Sequence, residues 1–105
     1  MPNVHDGFLI KMGHRTETLT RRWFVVTPGR LSYYSDEAQA KQLGELLLMD
    51  PVGIDVTPQH GDGEKFEFRV SNSENDLLLT APTDERMQGW IQAIKANTVQ
   101  APGGA

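Results

Sequence analysis

The chain has 105 residues, carries a formal net charge of −4 at pH 7 and contains no cysteine. That length suits one modest domain, which buries roughly 60–70% of its unfolded surface. The negative balance argues against general nucleic-acid binding, and the missing thiols exclude a disulfide framework or a thiolate metal site and fit a reducing compartment.

Gly7 to Met12 alternates, with Phe8, Ile10 and Met12 on one face and Gly7, Leu9 and Lys11 on the other, as a strand requires. The polar stretch from Gly13 to Leu19 is expected to be a mobile loop. Thr20 to Val26 is the second strand. Thr20, Arg22, Phe24 and Val26 share one face, and Arg21, Trp23 and Val25 share the other. Pro28-Gly29 is the residue pair of a type II turn. Arg30 to Ser35 is a third, aromatic-rich strand, followed by a polar connection from Asp36 to Leu43. Leu46 to Met49 forms the body of a fourth strand, which Asp50-Pro51 breaks. Ile54 and Val56 mark a fifth strand. Gln59 to Gly63 is a loop, Phe66 to Val70 a sixth strand, Asn72 to Asp76 a turn and Leu77 to Thr80 a seventh strand. Short strands at this spacing point to an all-β sandwich or barrel.

The period then changes. Ala81-Pro82 ends the last strand, Thr83 is a good N-cap, and Asp84 and Glu85 favour the helix dipole in the first turn. Met87, Trp90, Ile91 and Ile94 fall at i, i+3, i+4 and i+7, which predicts an amphipathic helix from Asp84 to Ala96. Both tryptophans, Trp23 and Trp90, are expected in the core. Gly89 inside the helix is read as room for close packing. Residues 1–6 read as an N-terminal arm, 7–97 as the domain, and 98–105 as a flexible tail or linker. No apolar run approaches the ~20 residues of a membrane-spanning helix, and no signal-peptide pattern opens the chain.

Four stretches together carry a family resemblance: Gly7-Phe8-Leu9-Ile10-Lys11, Arg22-Trp23-Phe24-Val25-Val26, Leu31-Ser32-Tyr33-Tyr34, and Trp90 followed by Ile91, Ala93 and Ile94. In this order and spacing the chain resembles a pleckstrin-homology (PH) domain from Gly7 to about Asn97. The resemblance implies a mostly β fold: a seven-stranded barrel of two near-orthogonal antiparallel sheets, capped at one corner by a C-terminal helix. It also implies a ligand site at the opposite, loop-rich corner.

Charge distribution agrees with that location. From Phe8 to Arg22, four basic residues (Lys11, Arg15, Arg21, Arg22) stand against Glu17, so this stretch carries +3 and the remainder −7. If Leu9 and Phe24 point into the core, Lys11 and Arg22 point the same way at the mouth. The adjoining loop adds His14 and Arg15, and the third strand brings Tyr33, whose hydroxyl can donate to a phosphate. This set suits a polyanion such as a phosphorylated inositol headgroup. Phosphoinositide binders of the resembling family carry a lysine at the end of strand 1, then a basic residue, a gap and an arginine before the aromatic pair. Lys11 and Arg22 match. Thr20 stands at the other basic position, the strand 3–4 connection offers only Lys41, and the strand 6–7 turn offers Glu74 and Asp76, so weak binding is implied. Lys11 and Arg22 are also readable as solvated strand ends, Arg21 as a surface charge and Tyr33 as a packing aromatic.

His5, His14 and His60 lack metal-ligand spacing, and no nucleophile, paired carboxylate or phosphate loop stands in a catalytic context. Neither an enzyme nor a cofactor is expected. The expected function is that of a cytoplasmic, peripheral-membrane module, monomeric as an isolated domain. It would bind acidic phospholipids, foremost phosphoinositides, weakly, through the strand 1–2 and 3–4 loops. The alternative is a protein-interaction or autoregulatory module without a lipid ligand.

Overall fold

The computed structural model describes residues 5–12, 18–39, 41–57 and 66–100. Among them, seven strands precede one helix: β1 (His5–Met12), β2 (Leu19–Thr27), β3 (Arg30–Tyr34), β4 (Gln42–Leu47), β5 (Gly53–Val56), β6 (Phe66–Ser71), β7 (Asp76–Ala81) and α1 (Asp84–Asn97). The strands hydrogen-bond in the order β4-β3-β2-β1-β7-β6-β5, antiparallel at every step. β1 pairs with β2 along its whole length but meets β7 only through Ile10↔Thr80 and Lys11↔Leu79. One continuous seven-stranded sheet therefore has two halves joined at a two-pair seam. α1 packs on β2, β6 and β7.

Strand alternation explains which residues enter the core. Leu9, Phe24, Val26, Leu31, Leu46, Phe68, Val70, Leu77 and Leu79 occupy inward positions and are buried. Burying one such side chain is worth roughly 1.5–3 kcal/mol. The helix adds Met87, Trp90, Ile91 and Ile94 to the same cluster. Trp90 is 2% exposed, and its indole makes a T-shaped contact with the His5 ring at 4.5 Å between centroids. The cap forms as expected, with the Thr83 hydroxyl accepting from the Arg86 amide at 3.1 Å. Gly29 at φ 79° takes the left-handed conformation that the β2–β3 turn requires.

Three expectations need correction. Trp23 does not lie in the core; it is half-buried on the outer face, beside Phe8 at 4.8 Å in a T-shaped contact. Odd and even residues of β2 must face opposite ways, and Phe24 already takes the inward position. β4 begins at Gln42 rather than at the apolar run. Its polar first half pairs with Tyr34 to Ser32, because a ladder is built by backbone groups whatever the side chains. Met49, placed in that strand, instead bridges in parallel to Val99 beyond the helix. The Asp50 and Val99 amides donate to Val99 O and Leu48 O at 2.7 and 2.9 Å, so the chain just after α1 is tied to the exit of β4. Finally, Gly89 is not in tight contact. A Cβ there would lie 3.8 Å from His5 Cε1, an ordinary packing distance.

Most of the expected Gly13–Leu19 loop and the expected Gln59–Gly63 loop fall outside the described residues.

Candidate functional site

The β1–β2 register decides where the basic side chains go. Gly7 pairs with Phe24, Leu9 with Arg22 and Lys11 with Thr20, so all six positions share one face of the hairpin. Leu9 is 1% exposed and Phe24 is fully buried, which identifies that face as the inner one. Arg22 lies directly across from Leu9, and Lys11 is one step further along the same face. Both are half-buried where the core gives way to the open end of the hairpin.

Tyr33 joins them from β3. It pairs with Phe24, and their rings lie 5.2 Å apart at 32°. On its other flank it pairs with Gly44 of β4, where any Cβ would overlap the Tyr33 hydroxyl and ring. Gly44 thus lets the tyrosine side chain approach the neighbouring strand closely. One residue later the β3–β4 register shifts by a bulge, a device that re-aims side chains beside a site. The Lys11 ammonium stands 5.3 Å from the Tyr33 ring centroid, within cation–π range. The mouth thus gathers Phe24, Tyr33 and Lys11, with Arg22 on the same face of the hairpin. Arg22 Nη1 donates to Arg21 O at 3.4 Å, a long contact that leaves most of its donors for other partners.

The structure therefore brings Lys11, Arg22 and Tyr33 onto one surface. His14 and Arg15 lie outside the described residues. The β3–β4 connection carries Asp36 and Glu37 against Lys41. Its turn is closed by Asp36, whose side chain accepts from Ala38 N at 3.0 Å and whose carbonyl accepts from Gln39 N at 3.1 Å. Asp76, at the start of β7, is engaged by the Arg69 guanidinium. Among the described residues, no group of three His, Asp or Glu side chains could hold a metal ion, and no helix is long and apolar enough to cross a membrane.

Arg21 takes the opposite face, as its parity requires. Its guanidinium carbon sits 3.7 Å from the Phe8 ring centroid, and Phe8 in turn rests on Trp23. Sequence reasoning treated Arg21 as a bare surface charge and missed this stack. The signal was present: β1 is apolar on both faces, since Phe8, Ile10 and Met12 alternate with the inward Leu9.

Comparison with known proteins agrees with the architecture. The PH domain family model matches residues 3–98. Switch-associated protein 70 of Bos taurus is 35% identical over 91 residues, which cover 87% of this chain and 15% of that protein. The chain thus spans less than a fifth of that relative's length. The crystal structure of the carboxyl-terminal PH domain of pleckstrin superposes with a TM-score of 0.78 at 25% identity, covering 90% of this chain and 94% of that one. The same pleckstrin domain in complex with D-myo-Ins(1,2,3,5,6)P5 gives a TM-score of 0.76 at 28% identity, covering 90% and 93%.

Proposed function

This chain belongs to the PH domain family, and on that premise we propose that it is a membrane-recruitment module that binds acidic phospholipids, foremost phosphoinositides, weakly at the mouth between the β1–β2 and β3–β4 connections. The carrying observation is the placement of two cations, Lys11 and Arg22, on the inner face of one hairpin, with Lys11 poised over Tyr33. A guanidinium and an ammonium with spare donors suit phosphate oxygens, one by a planar fork and the other as a point charge. The related pleckstrin domain, crystallised with an inositol pentakisphosphate, supports the same ligand chemistry for this chain. His14 and Arg15 are assigned to the same site as further ligands from the β1–β2 connection.

Weakness follows from the charges nearby. Thr20 faces Lys11 across the hairpin where a further cation would strengthen the site. The β3–β4 connection has two carboxylates to one lysine. With so few phosphate contacts, location at a cytoplasmic membrane surface is expected to be reversible and salt-sensitive. The test is a liposome-binding panel, with and without each phosphoinositide, at two salt concentrations. Binding that rises with phosphoinositide content and falls with salt is expected. A parent protein that binds none of the vesicles refutes the reading.

A further inference from the structure

The seam between β1 and β7 opens on the outer face into a groove of about 370 Å³. Its cause lies in the register. Ile10↔Thr80 and Lys11↔Leu79 would continue as Leu9 with Ala81 and Phe8 with Pro82, yet the ladder stops. Pro82 has no N–H to donate, and the chain turns away there toward the Thr83 cap of α1. The strands part, leaving a slot walled by Phe8, Ile10, Thr80 and Pro82, with Arg21 at its rim. The surface is mainly apolar and no carboxylate lines it.

Arg21 is exposed, and its guanidinium carbon sits over the Phe8 ring, which in turn contacts Trp23. A stacked guanidinium keeps its in-plane donors free for a planar anion. Among the described residues, no carboxylate forms an ion pair with it. The groove thus joins an apolar slot of side-chain size to an oriented cation. We propose that it docks an acidic segment of a partner protein, which inserts a bulky apolar side chain between β1 and β7 and pairs a neighbouring carboxylate with Arg21. A flat bilayer fits less well. Phe8 lies four residues below Met12, the last paired residue at the hairpin's open end, roughly 13 Å at strand rise. A membrane touching that end leaves the slot on the flank, whereas a peptide chain reaches it.

The probes are two sets of fluorescein-labelled dodecapeptides with fixed centres, Phe-Glu or Phe-Lys, in otherwise matched polar flanks. Binding is read by anisotropy, and its location by backbone amide shifts. The Phe-Glu set is expected to bind at least tenfold more tightly than the Phe-Lys set. It should move the amides of Phe8, Ile10, Arg21 and Thr80. Arg21→Glu and the milder Arg21→Gln should each weaken it, the former at least tenfold. Lys11→Gln with Arg22→Gln should leave it within threefold, which separates this site from the mouth. The proposal is overturned by any of four outcomes: no preference for the acidic set, or shifts confined to Lys11, Arg22 and Tyr33; phosphatidylserine-vesicle binding that Arg21→Glu reduces as much as Lys11→Glu with Arg22→Glu does, which makes the outer face a lipid surface; or a dimer that Arg21→Glu dissolves, which makes the occupant a second copy.

Discussion

The helix-capped side of the sheet and the open end of the β1–β2 hairpin are built from the same strand alternation but put to opposite uses. Under the helix, inward residues are uniformly apolar, and Trp90, Ile94 and Met87 close over Phe24, Phe68 and Leu79 until almost no side-chain surface remains exposed. At the open end, the same inward face passes from Leu9 and Phe24 to Lys11 and Arg22, which stay half-buried. One region commits its inward positions to stability, and the other, on the proposed reading, to recognition. The lesson is that a change at the first should alter unfolding, while a change at the second should alter binding alone.

The sharpest way to break this contrast is Trp90→Ala. Truncating a buried large aromatic costs about 3–5 kcal/mol, much of the stability of a small domain. The variant should be largely unfolded or melt far below the parent. Equal heat stability, measured by circular dichroism, would show that the helix does not close the core. The mouth gives the complementary case. At the proposed lipid site, Lys11→Glu with Arg22→Glu would exchange two attractive contacts for two repulsive ones. At on the order of 1 kcal/mol for each basic residue near an anionic surface, the change should cost about 2–4 kcal/mol of liposome binding. The melting temperature should stay near that of the parent, because both side chains lie at a rim. Arg21→Glu is the control. Being on the other face, it should weaken lipid binding less than Arg22→Glu, and the reverse order would contradict the register.

A smaller effect tests where the two regions meet. Gly44→Ala drives a methyl group into the Tyr33 ring, and such overpacking costs about 1–3 kcal/mol. It should also move Tyr33 from beneath Lys11, so chemical shifts of Lys11 should change along with stability. Unchanged Lys11 shifts would mean that the mouth does not depend on the β3–β4 pairing. The smallest expected effect runs the other way. Gly89→Ala meets only His5 at an ordinary distance, so helix propensity should raise stability by up to about 1 kcal/mol. Destabilisation in a denaturant titration would reveal a packing constraint between α1 and β1.

Local periodicity made much of this protein legible from its sequence. Strand alternation identified Leu9, Phe24 and Val26 as companions on one face and sent Lys11 and Arg22 the same way. The 3.6-residue period identified Met87, Trp90, Ile91 and Ile94, and Thr83 announced the start of the helix. These are properties of single segments, set by backbone geometry within a few residues. The tertiary structure decided what depends on pairing between distant segments. Nothing local to Trp23 says that Phe8 will shelter it on the outer face, and nothing local to Gly44 says that a tyrosine ring will cover it. Val99 reads as tail until Met49 is brought beside it, and the outer groove exists only because β7 turns away at Pro82 from a strand some seventy residues earlier. Period and capping are written in adjacent residues. Register between strands is chosen by the whole core, so the contacts it creates appear only when the chain has folded.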